Sequence, residues 1–362
     1  MEIENSLQNL PVEMHIEIME ATLISRTEPC RLCGSTQARL CAPITYWDLQ
    51  ELKLVDCPEC HHTQLDPMLS DESLEVGCLA YYIREISETS EREQKRNLAR
   101  NFRRGVLFAS HLKSQNIHPQ TVLEFGPGSG YFLAGMQFIF PDIKVTVVDI
   151  VDDVLKKNKE IHGFSGIKST PDRKDFPLAG PFDLIIARDI IEHVSDFSQM
   201  LKNIHQLLKP NGYFHFITPN GREDSWGHRM QWALHHQPSE LLINHVNYFD
   251  GAGLLNFLEA NGFKKVEYYT YQIKGFFKGK GWKKTLKWST PSVRTSSKDM
   301  IKKSKIMHEM TFKKSDVLSE WYIQPKMKWL TIFYSWTKHV EFVKLNPSTN
   351  IGHEILGTFQ KK

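Results

Sequence analysis

The sequence has 362 residues, 41% of them hydrophobic, which is enough for a large core in two domains or in one domain with extensions. Its first residues, MEIENSLQNL, are polar and acidic, so we expect no secretion signal. No run of about 18 apolar residues occurs, which argues against a membrane-spanning helix. From these features we expect a cytoplasmic protein.

The net charge of +3 conceals an uneven distribution along the chain. Residues 271–362 contain 19 of the 45 Lys and Arg residues but only 6 of the 42 Asp and Glu residues. The preceding part of the chain is therefore acidic. Such an asymmetry predicts different partners for the two parts and a domain boundary near residue 271.

A cysteine-rich segment at residues 28–66 follows an expected leader at residues 1–27. It contains two Cys-x-x-Cys pairs, formed by Cys30, Cys33, Cys57 and Cys60. Without a secretion signal, metal binding is favoured over a disulfide framework. Four thiolates complete a tetrahedral zinc site at about 2.3 Å per bond and leave no open position. The pairs therefore predict a zinc ribbon with a structural Zn2+ ion.

Residues 67–118 are expected to form a helical linker to the next domain. Between about residues 88 and 115, apolar side chains recur every three or four positions, which predicts an amphipathic helix. The apolar stripe consists of Leu98, Phe102, Val106, Ala109 and Leu112.

Apolar strands alternate with helical segments over residues 119–270. The predicted strands are TVLEF, KVTVVDI, FDLIIARD, GYFHFITPN and KKVEYYTYQI. Two of the intervening helices are DFSQMLKNIHQLLKPNG and DGAGLLNFLEANGF. Continuous apolar strands separated by helices predict an α/β fold with a parallel sheet covered on both faces.

A glycine-rich turn follows the first of these strands. Gly126, Gly128 and Gly130 are spaced G-x-G-x-G, and Tyr131 occupies the position of the last glycine in a dinucleotide fingerprint. The next strand ends in Asp149, at the position where an acid accepts hydrogen bonds from ribose hydroxyls. The pattern predicts a nucleoside ligand with no requirement for a phosphate.

Four motifs over residues 119–220 resemble those of the class I S-adenosylmethionine-dependent methyltransferases. They are VLEFGPGSG, VTVVDI, PFDLIIARDIIEHVSD and LLKPNGYFHFITPN. The resemblance implies a Rossmann-like, seven-stranded methyltransferase sheet in residues 119–270, with S-adenosylmethionine as cofactor. The cofactor-binding residues that it implies are Glu124, Gly126, Gly128, Gly130, Asp149, Ile150, Asp175, Phe176 and Arg188.

These residues have different implied roles. Glu124 is expected near the amino-acid end of the cofactor, and Asp149 at the ribose. Asp175 and Phe176 are placed at the adenine by a loose alignment of the loop PDRKDFPL. Arg188 is either a pocket residue or a surface arginine.

The segment LINHVNYFD and the cysteine module are similar to parts of the sugar C-methyltransferases that act on nucleotide-linked deoxysugars. In the corresponding YHEHLSYFS segment of that subfamily, the second histidine is the proposed base, and it maps to His245. Asn244 stands where those enzymes have a glutamate partner. The resemblance implies His245 as a catalytic residue, and His193 in IIEHVSD is the second candidate. Histidine suits proton transfer near neutral pH.

Residues 271–362 are expected to form a basic C-terminal extension. Its segment 275–289, GFFKGKGWKKTLKWS, interleaves aromatic residues with lysines. This composition suits an anionic membrane surface, a nucleic acid or a phosphorylated acceptor, and it also suits a solvated lid.

The sequence as a whole predicts a methyltransferase that acts on a small, anionic acceptor. A nucleotide-linked or lipid-linked sugar, methylated on carbon or oxygen, is the expected substrate class. Two alternatives are an RNA methyltransferase, in which the basic segment binds phosphates, and a catalytically silent module that binds the cofactor or a partner.

Overall fold

The computed structural model describes most of residues 28–271 and the last residues of the chain. The described residues are 23–25, 28–46, 49–70, 73–75, 77, 90–178, 180–241, 244–271, 344–347 and 352–362. The expected basic aromatic segment 275–289 and most of the leader 1–27 lie outside these ranges. Within the described ranges, no helix combines the length and the apolar character needed to cross a membrane.

Strands and helices alternate through the second third of the chain, as predicted. The strands are β1 (Leu23–Ser25), β2 (Gln37–Tyr46), β3 (Leu49–Asp56), β4 (Thr63–Asp66), β5 (Thr121–Phe125), β6 (Lys144–Asp149), β7 (Ser165–Lys168), β8 (Phe182–Arg188), β9 (Leu208–Pro219), β10 (Ser239–Glu240), β11 (Asn247–Tyr248), β12 (Phe263–Tyr271) and β13 (Glu354–Lys361). The helices are α1 (Glu91–Ser114), α2 (Tyr131–Ile139), α3 (Asp152–His162), α4 (Phe197–Leu207), α5 (Gly221–Asp224), α6 (Trp226–His235) and α7 (Gly251–Ala260), with a 3₁₀ turn at Ile191–His193.

Seven strands form the larger sheet, in the order β12-β13-β9-β8-β5-β6-β7. The five strands from β9 to β7 are parallel, while β13 is antiparallel to both of its neighbours. The predicted seven-stranded α/β sheet is therefore confirmed. The strand order reverses at β5, and ligands of such sheets bind at the carboxyl ends of the strands beside this point.

The larger sheet extends beyond the domain boundary that the sequence predicts at residue 270. Strand β13 comes from the last residues of the chain and lies between β9 and β12. It pairs with β9 from Glu354 opposite Pro219 to Gln360 opposite Tyr213. The end of the expected extension is thus an integral strand of this sheet. Its side chains Ile355 and Phe359 are buried in the main hydrophobic cluster.

A second, smaller sheet contains the cysteine-rich segment. Its order is β1-β2-β3-β4-β11, and the short strand β10 pairs with β2 outside this order. The strands β10 and β11 come from residues 239–248, which the sequence assigns to the methyltransferase domain. Backbone pairing therefore joins the two expected domains, and their cores meet where Cys30 and Cys57 pack in the same cluster as Phe249.

Side chains on the two faces of the larger sheet enter separate hydrophobic clusters. Val122 and Leu184 pack on the face covered by α1 and α2, whereas Leu123 and Ile185 pack on the other face. This alternation follows from the two-residue period of a strand, which points successive side chains to opposite faces. The buried sheet provides the rigid platform for the loops at its carboxyl edge.

Helices α1 and α2 approach each other through glycine. A Cβ atom at Gly105 would overlap the backbone carbonyl of Phe132, and one at Gly135 would overlap the carbonyl of Phe102. The backbones of α1 and α2 are therefore closer together here than any residue larger than glycine would allow. Helix α1 also begins as the capping rules predict, because Ser90 Oγ accepts a hydrogen bond from the Glu93 N–H at 3.3 Å.

We expect Gly105→Ala to lower the free energy of unfolding by about 2 kcal/mol or more, since the new methyl group meets backbone atoms that cannot yield cheaply. The matched control is Gly227→Ala on the exposed side of α6, where nothing lies within 4 Å of the added Cβ. That change should be neutral or stabilising by up to about 1 kcal/mol because alanine favours helix. Urea unfolding measures both variants, and equal effects would contradict the close helix contact.

Candidate active site and metal centre

The four cysteines of the two Cys-x-x-Cys pairs converge in the smaller sheet. The Sγ atoms of Cys30 and Cys60 lie 3.5 Å apart, those of Cys33 and Cys57 lie 3.4 Å apart, and all four lie within 4.8 Å of one another. Four ligands at about 2.3 Å from a tetrahedral zinc ion are separated by roughly 3.8 Å. The four thiols therefore fit a zinc ion, as predicted, with the two pairs contributing two sulfurs each.

The two pairs adopt the same backbone turn. In the first turn the Gly34 N–H donates to the Cys30 carbonyl at 2.8 Å, and in the second the His61 N–H donates to the Cys57 carbonyl at 3.0 Å. Both Gly34 and His61 have positive φ, at 75° and 57°. The sequence signals this conformation only at Gly34, because glycine adopts it without steric cost. His61 is therefore a turn residue outside the four-cysteine cluster.

The predicted glycine turn connects β5 to α2. Gly126, Gly128 and Gly130 all have positive φ, at 59°, 53° and 74°. Gly126 and Gly128 line a cavity, and no atom lies within 4 Å of a Cβ added at Gly128. Gly130 lies outside the cavity wall, where an added Cβ would meet Asn158. The turn therefore leaves open space along its backbone, which a ligand can approach closely.

Asp149 ends β6 beside this turn, and Ile150 follows it in the wall of the same cavity. One oxygen of Asp149 accepts a hydrogen bond from the Val151 N–H at 2.9 Å. Burial raises the pKa of Asp149 to about 6. An acid in this position is available to accept hydrogen bonds from the hydroxyls of a bound ribose.

Glu124 and Arg188 lie on neighbouring strands and form a buried ion pair. Arg188 Nε donates to Glu124 Oε1 at 2.8 Å, and the guanidinium stacks on the ring of Phe132 at 3.7 Å. Burial raises the pKa of Glu124, while Arg188 opposes this shift. Neither charged residue is part of the cavity wall. The structure therefore places both behind the glycine turn, where they support the sheet.

Asp175 and Phe176, the expected adenine contacts, lie beyond the cavity wall. Asp175 is exposed, and Phe176 packs edge-to-face on Phe125 with ring centroids 5.8 Å apart. Earlier residues of the same loop, including Ser169 and Asp172, line the cavity. The sequence contains an acid at both positions, so the motif alone does not distinguish Asp172 from Asp175.

His245 and His193 lie together in the wall of the same cavity, with ring centroids 4.8 Å apart. His193 Nδ1 donates to the backbone carbonyl of Asn244 at 2.8 Å, since a carbonyl can only accept. His245 Nδ1 donates to Asp224 Oδ2 at 2.6 Å. In both rings Nδ1 makes the hydrogen bond. Nε2 is therefore the ring nitrogen that these two contacts do not use.

The histidines have opposite titration behaviour. Burial lowers the pKa of His193 to about 3. Burial also lowers the pKa of His245, but the carboxylates of Asp224, Glu192 and Asp189 together raise it to about 9. Asp224 is therefore the hydrogen-bonded acidic partner of His245.

Glu192 completes this group of polar side chains. It is 1% exposed, and its Oε2 accepts a hydrogen bond from Thr218 Oγ1 at 2.9 Å. Its Oε1 has no hydrogen-bond partner. Burial raises the pKa of Glu192 to about 8, although the charge of His245 opposes the shift.

A single cavity of about 820 Å³ connects the predicted groups. Its wall includes the glycine turn and Asp149 as well as Glu192, His193 and His245. Cavities of this size bind cofactors and small molecules. The structure thus brings together Gly126, Gly128, Asp149, Ile150, His193 and His245 from the predicted set.

Two functional candidates were not visible in the sequence. Asp224 lies in the segment GREDSWGH, which matches no motif, and its role follows only from its contact with His245. Glu192 directly precedes His193, and the sequence gives it a structural role at the start of a helix. A buried carboxylate in a 3₁₀ turn with a free oxygen could be recognised only in three dimensions.

Comparison with a family model supports the assignment of the larger sheet. Residues 90–268 match a model described as a methyltransferase domain. The match begins at the first turn of α1 and ends in β12. The smaller sheet around the cysteines, apart from β10 and β11, and strand β13 lie outside it.

Two curated relatives match shorter parts of the chain. One is malonyl-[acyl-carrier protein] O-methyltransferase of Legionella pneumophila, 24% identical over 119 residues, which are 32% of this chain and 41% of the relative. The other is ubiquinone biosynthesis O-methyltransferase of Caulobacter vibrioides, 29% identical over 105 residues, which are 28% of this chain and 41% of the relative. The chain therefore spans about two fifths of the length of these relatives.

Solved methyltransferase structures are similar in fold at low identity. The plantazolicin methyltransferase BpumL, solved in complex with SAH, has a TM-score of 0.43 and 13% identity, with 80% of this chain and 97% of that chain covered. A putative sarcosine dimethylglycine methyltransferase from Galdieria sulphuraria has a TM-score of 0.40 and 14% identity, with 71% of this chain and 84% of that chain covered.

We expect Cys57→Ser to lose zinc and to lower Tm, because metal binding and folding of such a module are coupled. Cys41→Ser is the matched control, since Cys41 is a buried cysteine of the same sheet outside the four-sulfur cluster. Zinc content by atomic emission after dialysis should be one ion per chain in the wild type and in the control. A full zinc content in Cys57→Ser would exclude this thiol as a ligand.

Proposed function

We propose that the protein transfers a methyl group from S-adenosylmethionine to a small-molecule acceptor, because residues 90–268 match the model of a methyltransferase domain. The observation that carries the proposal is the single cavity that joins the glycine turn and Asp149 to His193 and His245. A cofactor site and a group of proton-transfer residues share this space. Methyl transfer requires both to face the same reacting atoms.

The residues at the glycine turn fit the cofactor. Gly126 and Gly128 expose their backbone to the cavity, and the space at Gly128 is open where a side chain would obstruct a ligand. Asp149 and Ile150 would hold the adenosine ribose, with the carboxylate accepting hydrogen bonds from its hydroxyls. S-adenosylmethionine supplies an activated methyl group on a positively charged sulfur.

The remaining task of the protein is to orient and activate the acceptor. Holding two reactants in line contributes several kcal/mol to catalysis by removing translational and rotational freedom. A hydroxyl, or a carbon next to a carbonyl, must also lose a proton to become a nucleophile. We assign this activation to the group around His245 and His193, which lines the same cavity as Asp149.

Asp224 is proposed as the residue that orients His245. Its carboxylate accepts a hydrogen bond from His245 Nδ1 at 2.6 Å, which directs Nε2 toward the acceptor side. Helix α5 ends at Asp224, and the backbone of this helix is tied to Phe249, because the Gly221 N–H donates to its carbonyl at 3.0 Å. In this proposal Asp224 takes the role that the sequence resemblance expected of an acid at the position of Asn244.

Two arginines of α1, in a cavity wall that also contains carboxylates, are the groups that support an anionic acceptor. Asn97, Arg100, Asn101 and Arg104 recur at three- and four-residue spacing on α1 and line the cavity. Neither arginine forms an ion pair with another residue of the described ranges. A nucleotide-linked or lipid-linked sugar, methylated on carbon or oxygen, carries the phosphate that such a surface would bind.

The direct test is calorimetric titration of the zinc-loaded protein with S-adenosylhomocysteine, followed by an assay for methyl transfer to nucleotide-linked sugars. We expect binding of one cofactor product per chain and methylated acceptor that requires His245. Absence of cofactor binding in the folded protein would overturn the proposal. Binding without turnover on any tested acceptor would favour the alternative of a catalytically silent module.

Asp149→Asn should weaken binding of S-adenosylhomocysteine by about 10-fold or more, because it removes the charge from a hydrogen bond worth about 1.5 kcal/mol or more. The control is Asp152→Asn, which removes an exposed acid three residues away. Calorimetry measures both, and equal affinities in the two variants would contradict the ribose assignment.

The same substitution should raise the stability of the ligand-free protein. Since the folded-state pKa of Asp149 is about 6 and the ordinary value is 3.8, the folded state binds the proton more tightly than the unfolded state. Stability from this group is therefore lost as pH rises from about 4 through 6, and it is absent at pH 7.5. Thermal unfolding at pH 7.5 should give a higher Tm for Asp149→Asn than for the wild type. A lower Tm would contradict the destabilising burial of this carboxylate.

His245→Gln should lower kcat by about 100-fold or more and leave the affinity for S-adenosylhomocysteine unchanged, because the residue acts on the acceptor and not on the cofactor. The control is His235→Gln at the exposed end of α6. Steady-state kinetics and calorimetry on the same samples separate the two effects. A normal kcat in His245→Gln would remove this residue from the catalytic group.

A further inference from the structure

Three possible metal-ligand atoms lie close together in the part of the cavity that we assign to the methyl acceptor. They belong to Glu192, His193 and His245, and their nearest ligand atoms all lie within 4.8 Å of one another. Each of the three side chains lines the cavity. The group is separate from the four-cysteine cluster and contains a different set of donor atoms, two imidazole nitrogens and one carboxylate oxygen.

Contacts behind these side chains fix their orientation. His193 Nδ1 donates to the Asn244 carbonyl at 2.8 Å, and His245 Nδ1 donates to Asp224 at 2.6 Å. The far oxygen of Glu192 accepts from Thr218 Oγ1 at 2.9 Å. Metal-binding histidines almost always donate their second ring N–H to a carboxylate or a backbone carbonyl in this way. Both histidines therefore show the outer contacts of metal ligands.

One polar atom of the site has no partner among the described residues. Glu192 Oε1 is buried and has no hydrogen-bond partner, and no Lys or Arg of the described residues forms an ion pair with this carboxylate. The carboxylates of Asp189 and Asp224 act on His245 from the same region. A buried carboxylate oxygen without a partner is costly, so this position attracts a positive charge.

A single proton can bridge only two of the three ligand atoms of Glu192, His193 and His245. A divalent cation accepts all three at once and leaves positions open toward the cavity. Two imidazoles and one carboxylate on one side of an ion, with open positions opposite, are the ligand set of transition-metal sites.

We propose that Glu192, His193 and His245 bind a divalent transition-metal ion that contacts the methyl acceptor. The inference rests on the proposed function, because the ion would act on the acceptor in the same cavity. Imidazole ligands favour ions such as Fe2+ over Mg2+ and Ca2+, and the carboxylate with open positions for water also suits Mn2+. Bonds of about 2.1 Å place ligand atoms roughly 3 to 4 Å from one another, which agrees with the 4.8 Å limit that these three atoms satisfy.

The ion gives His193 and His245 a defined role in methyl transfer. An acceptor oxygen bound to the ion loses its proton to solvent at a lower pH, because the positive charge stabilises the oxyanion. The oxygen lone pair then forms the new O–C bond while the C–S bond breaks, and its electron pair returns to sulfur. The products are the methylated acceptor and S-adenosylhomocysteine, and no oxidant or reductant is needed.

The test uses Mn2+ as the probe, with the full-length, zinc-loaded protein. Thiolates prefer zinc, and Mn2+ has the lowest affinity of the first-row divalent ions for such sites, so it should leave the four-cysteine cluster occupied. Electron paramagnetic resonance counts free Mn2+ directly. We expect the wild-type chain to bind one Mn2+ ion, with its zinc content unchanged.

Glu192→Gln and His193→Gln should each weaken Mn2+ binding by about 10-fold or more, because each removes one ligand while preserving side-chain size. The matched control is His228→Gln, a nearby histidine that contacts Ser239 and lies outside the cavity wall. It should bind Mn2+ as the wild type does. Zinc content and Tm show whether each variant has folded. If one of the two ligand variants is unfolded, the other provides the test.

Two results would overturn the metal site. One is a wild-type chain that binds S-adenosylhomocysteine but no Mn2+, and the other is Mn2+ binding that is equal in the wild type and in both ligand variants. In either case the proposed methyltransferase function stands, with His245 acting on the acceptor without an ion. Failure of the proposed function is distinguished by the loss of S-adenosylhomocysteine binding in the same samples.

Discussion

The backbone pairing of β11 with β4 determines how the two parts of the protein form one site. Asn247 and Tyr248 pair with Gln64 and Thr63 of the cysteine-rich sheet, and His245 lies directly before this strand. The ion pair of Arg229 with Asp56, at 2.7 and 2.8 Å, ties α6 to the same sheet. Breaking a buried pair of this kind is costly because it leaves an unpaired charge. The zinc ribbon thus supports the wall of the cavity that carries His245 and, through α6, the adjoining Asp224.

The larger sheet supplies the wall around Asp149. Parallel strands β5 and β6 end together, so the glycine turn and Asp149 meet at one edge. Asp149 and Glu192 are both carboxylates of the cavity wall whose pKa is raised by burial. Such groups reduce the stability of the free protein and are concentrated at functional sites. Ligands that satisfy them, ribose hydroxyls in one case and a cation in the other, would recover this stability on binding.

The sequence was sufficient for features that depend on local pattern. Apolar runs such as TVLEF identified the central strands, and the two Cys-x-x-Cys pairs identified the four thiols that converge. It was insufficient where distant segments meet. Strand β13 pairs with β9 across more than 130 residues, and Asp224 reaches His245 only after the chain has folded. His61 adopts a left-handed turn that its residue type does not signal. For β13 and Asp224, the deciding interaction joins positions that no short motif contains.

The most direct test of the account is an experimental structure of the protein with S-adenosylhomocysteine and Mn2+. The account predicts the ribose hydroxyls on Asp149, the amino-acid part along Gly126 and Gly128, and the sulfur facing an ion held by Glu192, His193 and His245. This arrangement would leave the space between sulfur and ion for the acceptor. A cofactor sulfur directed away from His245, or a cofactor bound outside this cavity, would contradict the central claim that one cavity holds both reactants.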